Sequence, residues 1–164
     1  MKLATFWINQ SLFAVDILLT REISPIHQIT HVSKAPPYIL GLINLRGQII
    51  SVVDPSYFLH NTPSSTNKNC RFLIITSNED LKHLKRMQLI DDVKLGKEPL
   101  AVKIDKIDDV IDINESQILP PPSTLSGIDR EMISGVVEVD KELIVIMNMP
   151  KFVAKILDAE NKAR

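Results

Sequence analysis

One thiol, a pair of histidines, two runs of carboxylates and an arginine beside a glycine are the residues in this chain whose type and spacing could do chemistry. Cys70 is the only cysteine and stands between Asn69 and Arg71, at the head of the apolar run RFLIIT. A neighbouring guanidinium favours the thiolate, but a cysteine opening a strand serves equally well as a core residue. A single cysteine forbids an intrachain disulfide and suits a reducing compartment. His27 and His31 are four apart, and on a helix they would share one face as zinc ligands do. Pro25 and the β-branched Ile26, Ile29, Thr30 and Val32 oppose that helix, and no HExxH or cysteine pair assists. Asp91-Asp92 and Asp105/Asp108/Asp109 lack the glycine and terminal glutamate of a calcium loop and read as solvated turns. Carboxylate pairs for glycoside chemistry stay open on spacing alone, with nothing in their favour.

The phosphate-binding glycine patterns are missing from a chain with five glycines, as is the GxSxG elbow. The expectation is therefore no catalytic residue, no cofactor and no metal. Charge narrows the partners further. Nineteen basic residues stand against 20 acidic, for a net charge of −1, and a general nucleic-acid binder would show a basic excess. The densest basic stretch, Lys82 to Arg86, follows Glu79 and Asp80 and reads as a solvated face. The first apolar stretch breaks at Asn9-Gln10, too early for a signal-peptide core, and no uncharged apolar run reaches membrane-span length. These features predict a cytoplasmic protein without direct membrane insertion.

Such residues need elements to hold them, and the pattern is one of short strands. Leu3 to Ile8 and Leu12 to Ile17 flank a polar turn and predict a hairpin. Leu18 to Ser33 reads as strand with loops. The stiff corner Ala35-Pro36-Pro37 precedes a second hairpin, Ile39 to Leu45 and Gln48 to Asp54, around Arg46-Gly47. Asp54 as N-cap and Pro55 at the first position predict a short helix to about Leu59. Residues 61–69 are a polar connector. Arg71 to Thr76 is a strand. Leu81, Leu84 and Met87 predict one or two helical turns. Leu100 to Ile113 returns to strand with a kink at Asp105-Lys106. Gly135 to Val139 and Leu143 to Asn148 form a third hairpin. Phe152, Val153, Ile156 and Leu157 place an amphipathic helix at the end. The whole predicts a mainly β fold of small barrels.

The stretch YILGLINLRGQIISVVD, Tyr38 to Asp54, closely resembles the signature of CheW-like domains. The flanking order agrees: Leu12 to Ile17, the Glu-Ile pair in Arg21-Glu22-Ile23, Ala35-Pro36, Ile104-Asp105, and Gly135-Val136 with Ile144 to Met149. The resemblance runs over about residues 3 to 157. Some positions depart from it: Pro55-Ser56 replaces a Leu-Arg pair, Ala101 a glycine, Lys103 an apolar residue and Thr20 a valine, and Ser77 to Pro99 is longer than the usual connection. The resemblance implies one domain over residues 1–160, made of two intertwined five-stranded SH3-like barrels packed together. It further implies a non-enzymatic adaptor that binds the regulatory domain of a CheA-like histidine kinase and the cytoplasmic tip of a chemoreceptor. Other CheW-like chains are further partners, and the protein would lie peripheral to membrane receptor arrays. A related scaffold of another chemosensory pathway, such as surface motility, is the alternative.

Within the signature, Arg46 offers a planar fork of five donors at a hairpin tip. It can pin Glu22 within its own lobe or reach a partner. Asn44 can cap the turn, and Gly41 and Gly47 are read as backbone residues of the turn region. Ile39, Leu42 and Ile43, with Leu45, are too many apolar side chains for one face of a small sheet. Arg46, Asn44, Glu22, Ile39, Leu42 and Ile43 are therefore the candidate partner-binding residues. A purely structural role for Asn44, Arg46 and Gly47 stands beside that reading.

Overall fold

The computed structural model describes residues 1–123 and 130–162. Ten strands and three α-helices follow in the order β1 Lys2–Ile8, β2 Ser11–Asp16, β3 Thr20–Pro25, β4 Ile39–Leu45, β5 Gln48–Val53, α1 Ser56–Leu59, β6 Arg71–Ile75, α2 Asn78–Arg86, β7 Leu100–Ile104, β8 Lys106–Asp112, β9 Ile133–Val139, β10 Glu142–Met147 and α3 Met149–Lys162. They form two five-stranded sheets, ordered β3-β6-β7-β5-β4 and β8-β1-β2-β10-β9. In each sheet the first three strands pair antiparallel, the third and fourth parallel, and the last two antiparallel. The second sheet is thus a circular permutation of the first. The chain begins in one sheet, builds the other completely, and returns.

Among the described residues each sheet closes through one bridge. Thr30, in the segment after β3, pairs with Leu42 on β4, and Leu119, after β8, pairs with Val136 on β9. Closure satisfies edge groups that would otherwise invite pairing with another chain. Both seams use a glycine. A Cβ on Gly41 would lie 2.2 Å from the Thr30 carbonyl oxygen, and Gly41 has φ +143°. A Cβ on Gly135 would lie 2.5 Å from Ile118 Cγ2 and 2.7 Å from the Leu119 oxygen. Gly41 therefore belongs to the barrel seam and not to the turn region where the sequence reading put it.

The core has three parts. Leu3, Leu12, Ala14, Val137, Ile144 and Ile146 fill one barrel; Ile43, Leu45, Ile50, Val52, Phe72, Ile74 and Ala101 fill the other. A larger cluster lies between them, joining Phe6, Phe13 and Val15 of the first to Leu73, Ile75, Val102 and Ile104 of the second, with Leu59, Phe152 and Ile156 from the helices. Strands β2, β6 and β7 are therefore covered on both faces. That is why SLFAVD, RFLII and LAVKI are near-continuous apolar runs and not alternating ones. The exception, Lys103, is 5% exposed. Its ammonium donates to Ser64 Oγ, the Ser65 carbonyl and Thr66 Oγ1 at 3.1, 3.1 and 2.9 Å. All three of its donors are satisfied, and they tie the polar connector to the barrel mouth.

Several local expectations shift. Asp54 is buried, and its carboxylate accepts from Ser56 N–H at 3.0 Å and from Ser64 N–H and Oγ–H at 2.9 and 3.0 Å. The α1 cap is Pro55, so Asp54 braces the helix start and the connector together. The kink at Asp105 is where the chain passes from β7 in one sheet to β8 in the other. Asp108 and Asp109 are exposed, as expected, but lie on β8 and not in a turn, and Asp108 accepts from Thr5 Oγ1 at 3.1 Å; Asp105, read as solvated, is buried at the crossing. Leu157 on α3 is exposed, while Phe152, Val153 and Ile156 are core. The long segment 77–99 is no appendage. A capping box of Ser77 and Asp80 opens α2, and Leu81 is wholly buried in the shared cluster with Leu84, Ile90 and Val93 packed against it.

The seam geometry predicts the ranking of three substitutions. Gly41→Ala meets backbone and a forbidden φ and should cost about 3 kcal/mol; Gly135→Ala should cost about 2 kcal/mol by overpacking. Gly47→Ala, with open space around it, should cost only the left-handed strain of about 1 kcal/mol. Urea unfolding of the three variants measures this, and a Gly41→Ala cost no larger than that of Gly47→Ala would contradict the closure account.

Candidate protein-binding site

The β4–β5 tip is a two-residue turn with Arg46 at φ +50° and Gly47 at φ +87°. Positive φ at both central residues matches the right-handed twist of the flanking strands. Asn44 Oδ1 accepts from Gly47 N–H at 2.8 Å and caps the turn as expected. Glycine or asparagine would adopt the first position at less cost than arginine, by about 1 kcal/mol. Arg46 is held there with its side chain 70% exposed, and it pairs through one terminal nitrogen with Glu22 of β3. Barrel closure makes that pair possible, because β3 and β4 are the two ends of the sheet order and meet only through the seam.

Arg21, beside Glu22, joins the same surface. It donates to Gln48 Oε1 at 3.1 Å and to Asp80 Oδ2 at 2.5 Å. Asp80 also accepts from Thr76 Oγ1 at 2.9 Å and from Ser77 Oγ at 3.1 Å. The tip, β3 and the start of α2 are thus laced into one charged patch. Burial pushes the Asp80 carboxyl up, but the bonds from Arg21, Thr76 and Ser77 together outweigh it and hold the group below its ordinary 3.8.

The apolar candidates separate by strand alternation. Ile39 and Ile43 face inward, 8% and 2% exposed, and cannot meet a partner as the sequence reading proposed. Leu42 faces outward and is half-buried. Two exposed apolar residues go beyond the expected set: Ile49, 54% exposed and opposite Asn44 on the same face as Leu42, and Ile23 of β3, 40% exposed. The period-two pattern of β4 and β5 carried this signal, since residues directly opposite share a face. Of the candidate residues Arg46, Asn44, Glu22 and Leu42 are at least partly accessible, and so are Arg21, Ile23 and Ile49.

The other reactive candidates do not converge. His27 Nε2 lies 2.7 Å from Ser24 Oγ and its ring stacks on Phe72, while His31 is exposed. Cys70 is buried against the connector, with Asn67 N–H 3.4 Å from its sulfur. Among the described residues no group of three or more His, Cys, Asp and Glu could hold a metal ion, and no helix there is long and apolar enough to cross a membrane.

The lowered Asp80 carboxyl sets a pH dependence. A depressed folded-state pKa contributes stability above the ordinary value, lost as pH falls through the folded one. Unfolding free energy should therefore decline from near pH 3.8 downward, and Asp80→Asn should remove part of that decline while leaving the neutral limb parallel. Denaturant titrations across the acid range measure both slopes, and identical acid limbs would refute the assignment.

A family model described as the CheW-like domain matches residues 2–157. The chemotaxis protein CheW of Treponema pallidum is 26% identical over 153 residues, covering 92% of this chain and 80% of that protein. That of Bacillus subtilis is 24% identical over 147 residues, covering 90% and 83%. The crystal structure of the scaffolding protein TtCheW from Thermoanaerobacter tengcongensis aligns with a TM-score of 0.72 at 26% identity, covering 90% of this chain and 84% of that one. With the permuted pair of five-stranded sheets, the NLRG hairpin at its seam and a family match across nearly its whole length, the chain belongs to the CheW-like domain family of chemotaxis scaffold proteins.

Proposed function

We propose that the chain is a non-enzymatic cytoplasmic adaptor, coupling the cytoplasmic tip of a chemoreceptor to the regulatory domain of a CheA-like histidine kinase. The family supports the chemotaxis setting. The observation that carries the reading to particular residues is Arg46, an arginine kept at positive φ on an exposed tip. The Glu22 pair does not explain its retention, because exposed ion pairs contribute between about 0 and 1 kcal/mol and the backbone strain offsets that. A guanidinium with spare donors, on a hairpin that also carries outward-facing Leu42 and Ile49, has the composition of an interface centre, where arginine and apolar anchors dominate.

On this reading the adaptor does its work by position alone. The shared core holds both barrels rigid, the seam fixes the tip against β3, and the Asp80–Arg21–Gln48 network fixes β3 against α2. Such a surface is pre-organised, which lowers the ordering cost of association.

Arg46→Glu should lower affinity for the kinase regulatory domain or the receptor tip at least about tenfold. Arg46→Gly, which trades the ion pair for relief of strain, should unfold within about 1 kcal/mol of the parent chain. Co-sedimentation of a ternary complex, with urea unfolding alongside, reads both. A folded parent chain that binds neither partner would sink the proposal; intact binding in Arg46→Glu together with a large stability loss would return Arg46 to a purely structural role.

A further inference from the structure

A cleft of about 850 Å³ lies where the two barrels meet, lined by Trp7 and Asn9 at the β1–β2 end, His60 after α1, Asn67 and Asn69 in the connector, and Asp105 at the strand crossover. The floor is fixed from both barrels. Asp105 N–H donates to the Trp7 carbonyl at 2.9 Å, and Asn9 Nδ2 donates to Ser56 Oγ at 3.1 Å. Two buried polar atoms here, Asp105 Oδ1 and His60 Nε2, have no hydrogen-bond partner among the described residues.

Asp105 is 9% exposed. One oxygen serves the fold, accepting from Asn9 N–H at 2.5 Å, and the other is spare. Asparagine would make the same bond to Asn9 without burying a charge, so the fold alone does not account for a carboxylate at this position. A buried acceptor left unmade costs roughly 1–3 kcal/mol, and more when charged, which a ligand's donors would recover. Of the other lining residues Lys106 carries a charge, and the rest offer neutral amides, hydroxyls, an imidazole and an indole. Asp108, two residues beyond Lys106 on β8, receives Trp7 Nε1–H at 3.4 Å.

We propose that this cleft binds a guanidinium group, donating to Asp105 Oδ1 and His60 Nε2 with its plane against Trp7. A guanidinium presents five N–H donors in one plane and stacks on aromatic rings, so it can serve acceptors from several elements at once. A compact ammonium reaches fewer, and an anion would meet an unpaired carboxylate. Asp105 Oδ1 lies just beneath the floor, so seating the fork takes a rotamer step of a lining side chain. The group can belong to a free small molecule or to an arginine side chain on a peptide.

Trp7 is the chain's only tryptophan, so its emission reports directly on the cleft. The whole chain is titrated with agmatine, with acetyl-Gly-Arg-Gly amide, and with the citrulline counterpart of that peptide, which keeps the shape and loses the charge. The expected result is a saturable change in emission with a guanidinium probe and none with citrulline. Asp105→Asn should weaken binding at least about tenfold, the worth of one charge-assisted bond. Should Asp105→Asn not fold, His60→Gln is read in the same way, with weaker binding expected. Response to agmatine points to a free small molecule, and response to the arginine peptide alone points to a side chain; either supports the site. An equal response to citrulline, no saturable response to any guanidinium probe, or unchanged affinity in the folded variants overturns it.

Discussion

Neither barrel completes its own core. The apolar layer between them, built around Phe6 and Phe13 with ring centres 6.4 Å apart and closed by Phe152 of the last helix, is the interaction on which the rest depends. Each fully buried side chain of this size contributes roughly 1.5–3 kcal/mol, and the layer draws on both sheets and on α1, α2 and α3. Because β2, β6 and β7 bury side chains inside a barrel on one face and in this layer on the other, displacing one barrel would expose strands that have no polar side to turn outward. The tip surface and the inter-barrel cleft owe their geometry to this layer.

The permuted relation between the sheets gives the chain its logic. Strands β3 to β7 complete one barrel in sequence order, whereas the other is made from both ends of the chain, with β1 and β2 joining β8 to β10. The seams are alike, each a single bridge facing a glycine that cannot carry a side chain. One seam places Glu22 beside Arg46 and so connects closure with the charged surface at the β4–β5 tip.

Much of this was legible in the residues. All three hairpins were legible in the strand pattern, and at their turns Asn9, Arg46, Gly47, Asp140 and Lys141 adopt positive φ; the order of strands with the NLRG signature pointed to the fold. Part of what stayed hidden has its source in burial on both faces. A continuous apolar run says that a strand is covered, not which barrel covers it, so the crossing at Asp105 read as a local kink and its carboxylate as solvated. Alternation in β4 and β5 did distinguish Ile39 and Ile43 from Leu42 and Ile49, but the count of apolar residues obscured their order. Gly41 was legible as special and illegible in purpose, because its constraint comes from Thr30, eleven positions away and paired only in the closed barrel. Leu81 hid in a segment whose helical period is brief, and its burial depends on a core assembled from distant strands.

Hydrogen exchange on the whole chain, alone and mixed with a receptor cytoplasmic tip and a kinase regulatory domain, tests the central claim most directly. The account predicts slow exchange in β2, β6 and β7 throughout, from the layer that both barrels share, with new protection on binding over residues 21–23 and 42–49. Fast exchange in those inner strands, or partner protection that leaves 21–23 and 42–49 unchanged, would contradict it.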